Sequence, residues 1–225
     1  MDYELSGESG KELKPASVQR FHANLKTALD FAISKELVEF NAARMVKAPR
    51  AKQYEAKCLS IEQIGDLWKA CKGTNIEAAV FLASIYGFRR GEVCGLKWDC
   101  VDFDKRYIRI IETRTRARMD LIKGTKNRAS KRTMPLLQAV SNYLTNLSER
   151  QKLQKQFCGN TWINSGYVVV DELGQPLSFS TLQKNFKKIL LNNDLPDVRF
   201  HDLRHSVATY LLQIGIPIEE VSAWL

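Results

Sequence analysis

The longest apolar run in the chain, from Ala78 to Phe88, constrains the fold more than any other feature. It covers eleven residues and contains only Ser84 and Gly87 as non-apolar positions. Crossing a bilayer needs about 20 such residues, so the run predicts no membrane span. Apolar side chains on all sides predict a helix from about Ile76 to Tyr86, buried at the centre of a domain. Gly87 then permits a sharp bend.

The first part of the chain predicts a smaller helical unit. Apolar residues recur at steps of three and four from Val18 to Ala32, directly after Pro15, which predicts an amphipathic helix. Residues 47–57 are mostly polar, contain Pro49 and lack apolar periodicity, as expected of an exposed connection. We therefore expect a helical domain over 1–46, a basic linker over 47–57 and a second domain over 58–225.

The sequence of the second domain predicts a mainly α fold with a small antiparallel β-sheet, which places it in the α+β class. Ser60 and Gln63 form a capping-box pattern ahead of a helix. Short β-branched stretches between Asp99 and Pro135 predict the sheet. Helical patterns follow at Leu136–Cys158, Ser178–Asn193, Asp202–Ile214 and Pro217–Leu225, with an ambiguous strand or loop at Tyr167–Asp171.

Positive charge is concentrated in one segment of the chain. The whole sequence has 34 Lys and Arg against 25 Asp and Glu, a net charge of +9. Between Lys105 and Arg132 alone there are eleven cations and two acids, again +9. A localised patch of this size predicts a polyanionic partner such as nucleic acid. The alternative is a solvated hairpin whose charges protect its edges.

The cysteines and the start of the chain exclude other classes of protein. Five cysteines, an odd number without a C-x-x-C pair, indicate neither a disulfide framework nor a zinc site. Residues Met1 to Leu5 lack a basic region followed by an apolar stretch, so nothing marks the chain for secretion. We expect a cytoplasmic protein with no metal site.

Two further motifs point to anion chemistry. In His201-Asp-Leu-Arg-His205, the two imidazoles and Arg204 share one face at the start of a helix. A helix N-terminus beside a guanidinium suits phosphate, although a merely capped helix start with a solvated Arg remains the alternative. In Gly87-Phe-Arg-Arg-Gly-Glu92, Arg89 follows the buried helix and can be held rigidly. Glu92 could simply pair with Arg89, and we expect Arg90 to face water.

Together with Thr125-Lys-Asn-Arg-Ala-Ser-Lys-Arg132, these motifs stand in the order and spacing of the tyrosine recombinases. From about Pro15 to Leu225 the chain resembles integrases of phages and conjugative transposons. The resemblance implies a DNA breaking-rejoining catalytic-domain fold preceded by part of a helical core-DNA-binding domain. It also implies double-stranded DNA as partner, a homotetramer on DNA when full length, and DNA-bending or directionality proteins as accessories.

The resemblance also implies roles for individual residues. Arg89 matches the first catalytic Arg, Lys126 the hairpin Lys, His201 the motif His and Arg204 the second Arg, with Glu92 and His205 in support. In this family a Tyr attacks a DNA phosphodiester, giving a 3′-phosphotyrosyl link without any metal or other cofactor. We further expect DNA contacts from five cations of the linker and hairpin: Lys47, Arg50, Arg128, Lys131 and Arg132.

The family's Tyr lies beyond a Leu-Gly-His stretch that would follow Leu225, so we expect a fragment, truncated at both ends, that binds DNA without cleaving it. Tyr210 matches a packing position of the family, and we expect it in the core. Two other functions stay open at this point. A helical DNA-binding protein without chemistry would explain the basic patch, and a metal-dependent nuclease would need clustered carboxylates, which the sequence lacks.

Overall fold

The computed structural model describes residues 13–50, 57–114, 123–124 and 131–225. The chain divides into two compact units, Met1–Glu55 and Ala56–Leu225. Within the described ranges, no helix is long and apolar enough to cross a membrane.

The first unit consists of helix α1, Pro15–Ser34, and a short 3-10 turn at Ala42–Arg44. Pro15 occupies the first helical turn, where its missing N–H costs nothing. The Asn41 amide holds the turn to the helix by donating to Asp30 Oδ1 at 2.6 Å. The predicted helix is confirmed, but none of its residues is buried, and Phe21 on its apolar face is 61% exposed.

The second unit is mainly helical, and the predicted α+β class is confirmed. Its helices are α2 Ile61–Cys71, α3 Glu77–Tyr86, α4 Arg90–Val93, α5 Gln138–Cys158, α6 Phe179–Asn192, α7 Asp202–Gln213 and α8 Ile218–Trp224. Its strands are β1 Val101–Asp102, β2 Tyr107–Ile110, β3 Glu112–Thr113, β4 Lys123–Gly124 and β5 Arg132–Pro135. The segment Tyr167–Asp171 is irregular, with isolated bridges from Tyr167 to Lys97 and from Val170 to Pro176.

Two antiparallel sheets account for the strands described. In the larger one the order is β1-β2-β5, with Ile108 opposite Met134 and Ile110 opposite Arg132. The smaller one pairs β3 with β4. Burial alternates along β2, so that Ile108 and Ile110 point into the core. The pairing of β5 with β2 therefore fixes the position of the Arg132 backbone in the sheet.

Helix α3 forms the centre of the second unit, as its composition predicts. Seven of its ten residues are buried. The Tyr86 hydroxyl donates to Pro135 O at 2.8 Å and accepts from the Leu137 N–H at 3.1 Å. These two bonds tie the end of α3 to the end of β5. Nearby, α2 begins with the predicted capping box, in which Ser60 Oγ accepts from Gln63 N and Ser60 N donates to Gln63 Oε1.

Candidate functional site

The site begins where α3 ends. Gly87 closes the helix with a left-handed backbone, φ 66° and ψ 24°, a conformation that favours glycine. Arg89 then adopts an extended backbone and α4 follows. The Arg89 N–H donates to Glu92 Oε2 at 2.9 Å, and its guanidinium donates to Glu92 Oε1 at 3.0 Å. The Arg89 side chain remains 50% exposed, so it can still reach a ligand.

Glu92 is 2% exposed and has a second arginine partner. Strand β5 supplies Arg132, whose two terminal nitrogens donate to the two carboxylate oxygens, each at 3.0 Å. Burial by itself raises the pKa of a carboxyl group, but the hydrogen bonds from Arg132 and from the Arg89 N–H outweigh it. The pKa of Glu92 is therefore lowered, and the carboxylate stays charged.

Helix α7 brings the second arginine to the same place. Arg204 is half-buried, and its guanidinium donates to Gly87 O at 2.9 Å. Burial and, next, the positive charge of Arg89 lower the pKa of Arg204 to about 10. The negative charge of Glu92 opposes this shift, and the charge of Arg132 adds to it. The three guanidinium groups thus repel one another around one carboxylate, and an anion would relieve that repulsion.

The two imidazoles lie at the start of α7. Their ring centroids are 5.4 Å apart and the ring planes are nearly perpendicular, at 84°. His201 is exposed as a residue, yet desolvation of its ring lowers its pKa, and the positive charges of His205 and Arg204 lower it further. A neutral imidazole beside cationic side chains can accept a proton.

A pocket of about 700 Å³ opens beside these groups. Arg89 and His201 both line it, so the two sequence motifs meet at one site. Arg90 also lines it, and our expectation that Arg90 faces water is wrong. Its guanidinium lies 4.7 Å from the centroid of the Phe179 ring, because α6 brings that ring over the start of α4. Other cations around the pocket are Arg114, Lys187 and Arg199.

Sequence reasoning missed Arg114 as part of the site. Its backbone N–H donates to Gly91 O at 3.1 Å, and its guanidinium donates to Leu177 O at 3.0 Å. A Cβ at position 91 would lie 2.6 Å from Thr113 Cγ2 and 2.7 Å from Arg114 O. Glycine at 91 therefore allows β3 to approach α4 closely enough to place Arg114. The contact of Arg114 with Gly91 joins segments that are distant in the sequence. No local sequence pattern predicts such a contact.

The remaining predicted residues are spread over several places. Lys126 and Arg128 lie outside the described residues. Lys131 is exposed, whereas the fork of Arg132 is occupied by Glu92 and its side chain is only 14% exposed. In the first unit, Lys47 and Arg50 are exposed. Among the described residues, no group of three or more His, Cys, Asp or Glu side chains is placed to hold a metal ion.

Tyr210 is not in the core, which corrects our expectation. It is 40% exposed, because the buried face of α7 is formed by residues near its beginning, including Leu203 and Val207. Ser206 on that face accepts a hydrogen bond from the Leu59 N–H at 2.9 Å and donates to Asp202 O at 3.0 Å. Helix α7 is thus attached to the segment with which the second unit begins.

Comparison with known proteins identifies relatives that match almost the whole chain. A tyrosine recombinase XerC-like protein of Caldanaerobacter subterraneus subsp. tengcongensis is 32% identical over 240 residues, which cover 97% of this chain and 60% of that protein. An integrase of Streptomyces ambofaciens is 27% identical over 225 residues, which cover 93% of this chain and 56% of that integrase. The chain thus spans about 60% of the length of the curated relatives it matches.

Two solved structures show the same fold. The Tn1549 transposon integrase in complex with transposon right end DNA has a TM-score of 0.78 at 18% identity, covering 94% of this chain and 71% of that chain. A lambda integrase tetramer bound to a Holliday junction has a TM-score of 0.64 at 18% identity, covering 94% and 58%. The predicted catalytic-domain fold is confirmed. Residues 57–225 match the sequence profile of the phage integrase family, and the chain therefore belongs to this family of tyrosine recombinases.

Proposed function

We propose that this chain binds double-stranded DNA and activates one backbone phosphate for site-specific recombination. The observation that carries the proposal is the convergence of Arg89, Arg204 and His201: Arg89 and His201 line one pocket, and Arg204 donates to Gly87 O, two residues before Arg89, at 2.9 Å. Positive charge exceeds negative charge there, and the charge of Arg89 lowers the pKa of Arg204. A phosphodiester is the anion that a DNA recombinase would place between two such guanidinium groups.

In the proposed reaction, a tyrosine oxygen attacks the phosphorus and the bond to the 5′ oxygen breaks. Arg89 and Arg204 hold the non-bridging oxygens, where negative charge increases in the transition state. His201 accepts the proton of the tyrosine, and Lys126 gives a proton to the departing 5′ oxygen. His205 supports His201. The resulting 3′-phosphotyrosyl link conserves the bond energy for joining to a second strand.

The 225 residues are proposed to bind DNA without cleaving it. We propose that none of the seven tyrosines is the nucleophile, because the Leu-Gly-His stretch that precedes the nucleophile in the family does not occur in the sequence. On DNA we propose a homotetramer, with accessory DNA-bending or directionality proteins. The lambda integrase structure, a tetramer on a Holliday junction, supports the tetramer. A helical DNA-binding protein without chemistry would leave the shared pocket of Arg89 and His201 unexplained.

Fluorescence anisotropy with a labelled duplex tests the binding part of the proposal. We expect Arg89→Ala and Arg204→Ala each to weaken binding, and the slope of log K against log salt to fall by about 0.9 for each phosphate that is no longer neutralised. Arg150→Ala is the matched control, because Arg150 is 47% exposed and pairs with Glu77 at 3.1 Å, much as Arg89 pairs with Glu92. Equal affinities for Arg89→Ala and Arg150→Ala would refute the proposed phosphate site.

A suicide DNA substrate tests the second part. We expect residues 1–225 to yield no covalent protein–DNA adduct on a denaturing gel. An adduct would show that a tyrosine within the chain acts as nucleophile, and peptide mapping would identify it.

A further inference from the structure

We infer that Arg132 is a positioning residue, which fixes Glu92 and through it holds Arg89 ready for the DNA phosphate. This inference rests on the proposed function. It replaces the expectation from the sequence that Arg132 contacts DNA directly.

The hydrogen bonds of Glu92 carry the inference. Its Oε1 accepts from one terminal nitrogen of Arg89 and from one of Arg132, each at 3.0 Å. Its Oε2 accepts from the Arg89 backbone N–H at 2.9 Å and from the other terminal nitrogen of Arg132 at 3.0 Å. The carboxylate therefore has four donors, and the two arginines share it. Arg132 binds both oxygens in one plane, a geometry that lysine cannot reproduce.

The two arginines differ in how firmly they are held. Arg132 begins on β5, opposite Ile110, and its guanidinium lies 5.6 Å from the centroid of the Phe88 ring. Its side chain is 14% exposed, whereas that of Arg89 is 50% exposed at the start of a four-residue helix. Arg132 on the strand thus holds the Glu92 carboxylate from one side, and the more exposed Arg89 binds it from the other.

The charges explain what removing Arg132 would do. With both arginines present, Glu92 is shared and Arg89 spends one terminal nitrogen on it. A buried carboxylate whose bidentate partner is lost has acceptor sites without a donor, so the remaining arginine is drawn towards those sites. Arg89 would then be drawn towards Glu92 with both of its terminal nitrogens, and fewer donors would face the phosphate. Arg132 therefore affects DNA binding only through Arg89.

A double-mutant cycle on DNA binding by residues 1–225 tests this inference. Arg132→Lys keeps the positive charge, so a direct phosphate contact would largely survive, but the grip on both carboxylate oxygens is lost. We expect Arg132→Lys to weaken binding about 3- to 10-fold when Arg89 is present, the net contribution of one ordinary hydrogen bond. In the Arg89→Ala background we expect less than about 2-fold, because coupled residues are not additive.

Two results would overturn the inference. Unchanged affinity in both backgrounds would mean that Arg132 is dispensable or contacts DNA in a way lysine replaces. An equal loss in both backgrounds would indicate a general structural role. If Arg132→Lys does not fold, judged by its thermal midpoint, the double variant Glu92→Gln with Arg132→Gln replaces it, and the same dependence on Arg89 is required. If Arg89→Ala alone leaves affinity unchanged, the proposed function fails instead.

Discussion

Replacing Gly87 by alanine tests how the end of α3 holds the second arginine in place. Gly87 has φ +66°, where a residue with a Cβ costs about 1 kcal/mol more than glycine. The new Cβ would overlap the end of the Leu225 side chain and would lie 3.4 Å from Arg204 Cγ. Because the end of a flexible side chain can move aside, this overpacking should cost about 1 kcal/mol, the lower end of the usual range. We therefore expect Gly87→Ala to lower the free energy of unfolding by about 2 kcal/mol.

Gly73→Ala is the matched control. Gly73 has φ +76°, and nothing lies within 4 Å of a Cβ built there. Its substitution should therefore cost the backbone strain alone, about 1 kcal/mol. Urea unfolding followed by tryptophan fluorescence measures both variants, and the difference between them isolates the steric contact with Leu225 and Arg204.

Gly87→Ala should also weaken DNA binding, whereas Gly73→Ala should not. Gly87 O accepts the hydrogen bond that orients the Arg204 guanidinium, and the displaced side chains lie beside it. Suppose that both variants lower the free energy of unfolding equally and both keep full DNA affinity. The side chains around Gly87 would then accommodate a Cβ without steric cost, and our account of Arg204 would be wrong.

Three further outcomes are expected. The pKa of His201, followed by NMR of its ring, should lie below 6.5 in the free chain and rise when DNA phosphate binds. The stability that depends on the neutral ring should be full above pH 6.5 and should be lost as the pH falls from 6.5 through the lower pKa of the folded chain. A free-chain value above 6.5 contradicts this. Ser60→Ala should cost about 1 kcal/mol in urea unfolding by removing the cap of α2, and a loss near zero would show the cap to be unimportant. Because burial raises the pKa of Cys94 to about 12, a thiol reagent at pH 8 should modify exposed Cys58 and leave Cys94 unmodified until the protein unfolds.

Local patterns in the sequence predicted the parts of the fold that depend on neighbouring residues. The capping box at Ser60 requires only residues three positions apart, and the bend at Gly87 requires only the absence of a Cβ. The buried character of α3 follows from its own composition. Likewise, the shared face of His201 and Arg204 follows from helical spacing. In each case the physical cause lies within one segment of the chain.

The parts that sequence reasoning missed depend on contacts between distant segments. Arg132 stands in a run of cations, and its sequence context indicates solvent or DNA. It meets Glu92, 40 positions away, only because β5 pairs with β2 and is tied to the end of α3. Arg90 and Phe179 are brought together by helix packing in the same way. The number of cations in a sequence segment does not indicate which of them are paired with a carboxylate in the folded protein.

The attachment of Leu59 to Ser206 has a mechanical consequence. Near the start of the second unit, the Leu59 N–H donates to Ser206 on α7. The first turns of this helix also carry His201 and Arg204. The side-chain sulfur of Cys58, one residue earlier, lies 3.4 Å from the Thr209 hydroxyl on the same helix. A displacement of the backbone at Leu59 would therefore reach α7 directly. Because Ser206 lies in the first turns of that helix, the displacement would act on the same turns that orient the imidazole and guanidinium groups.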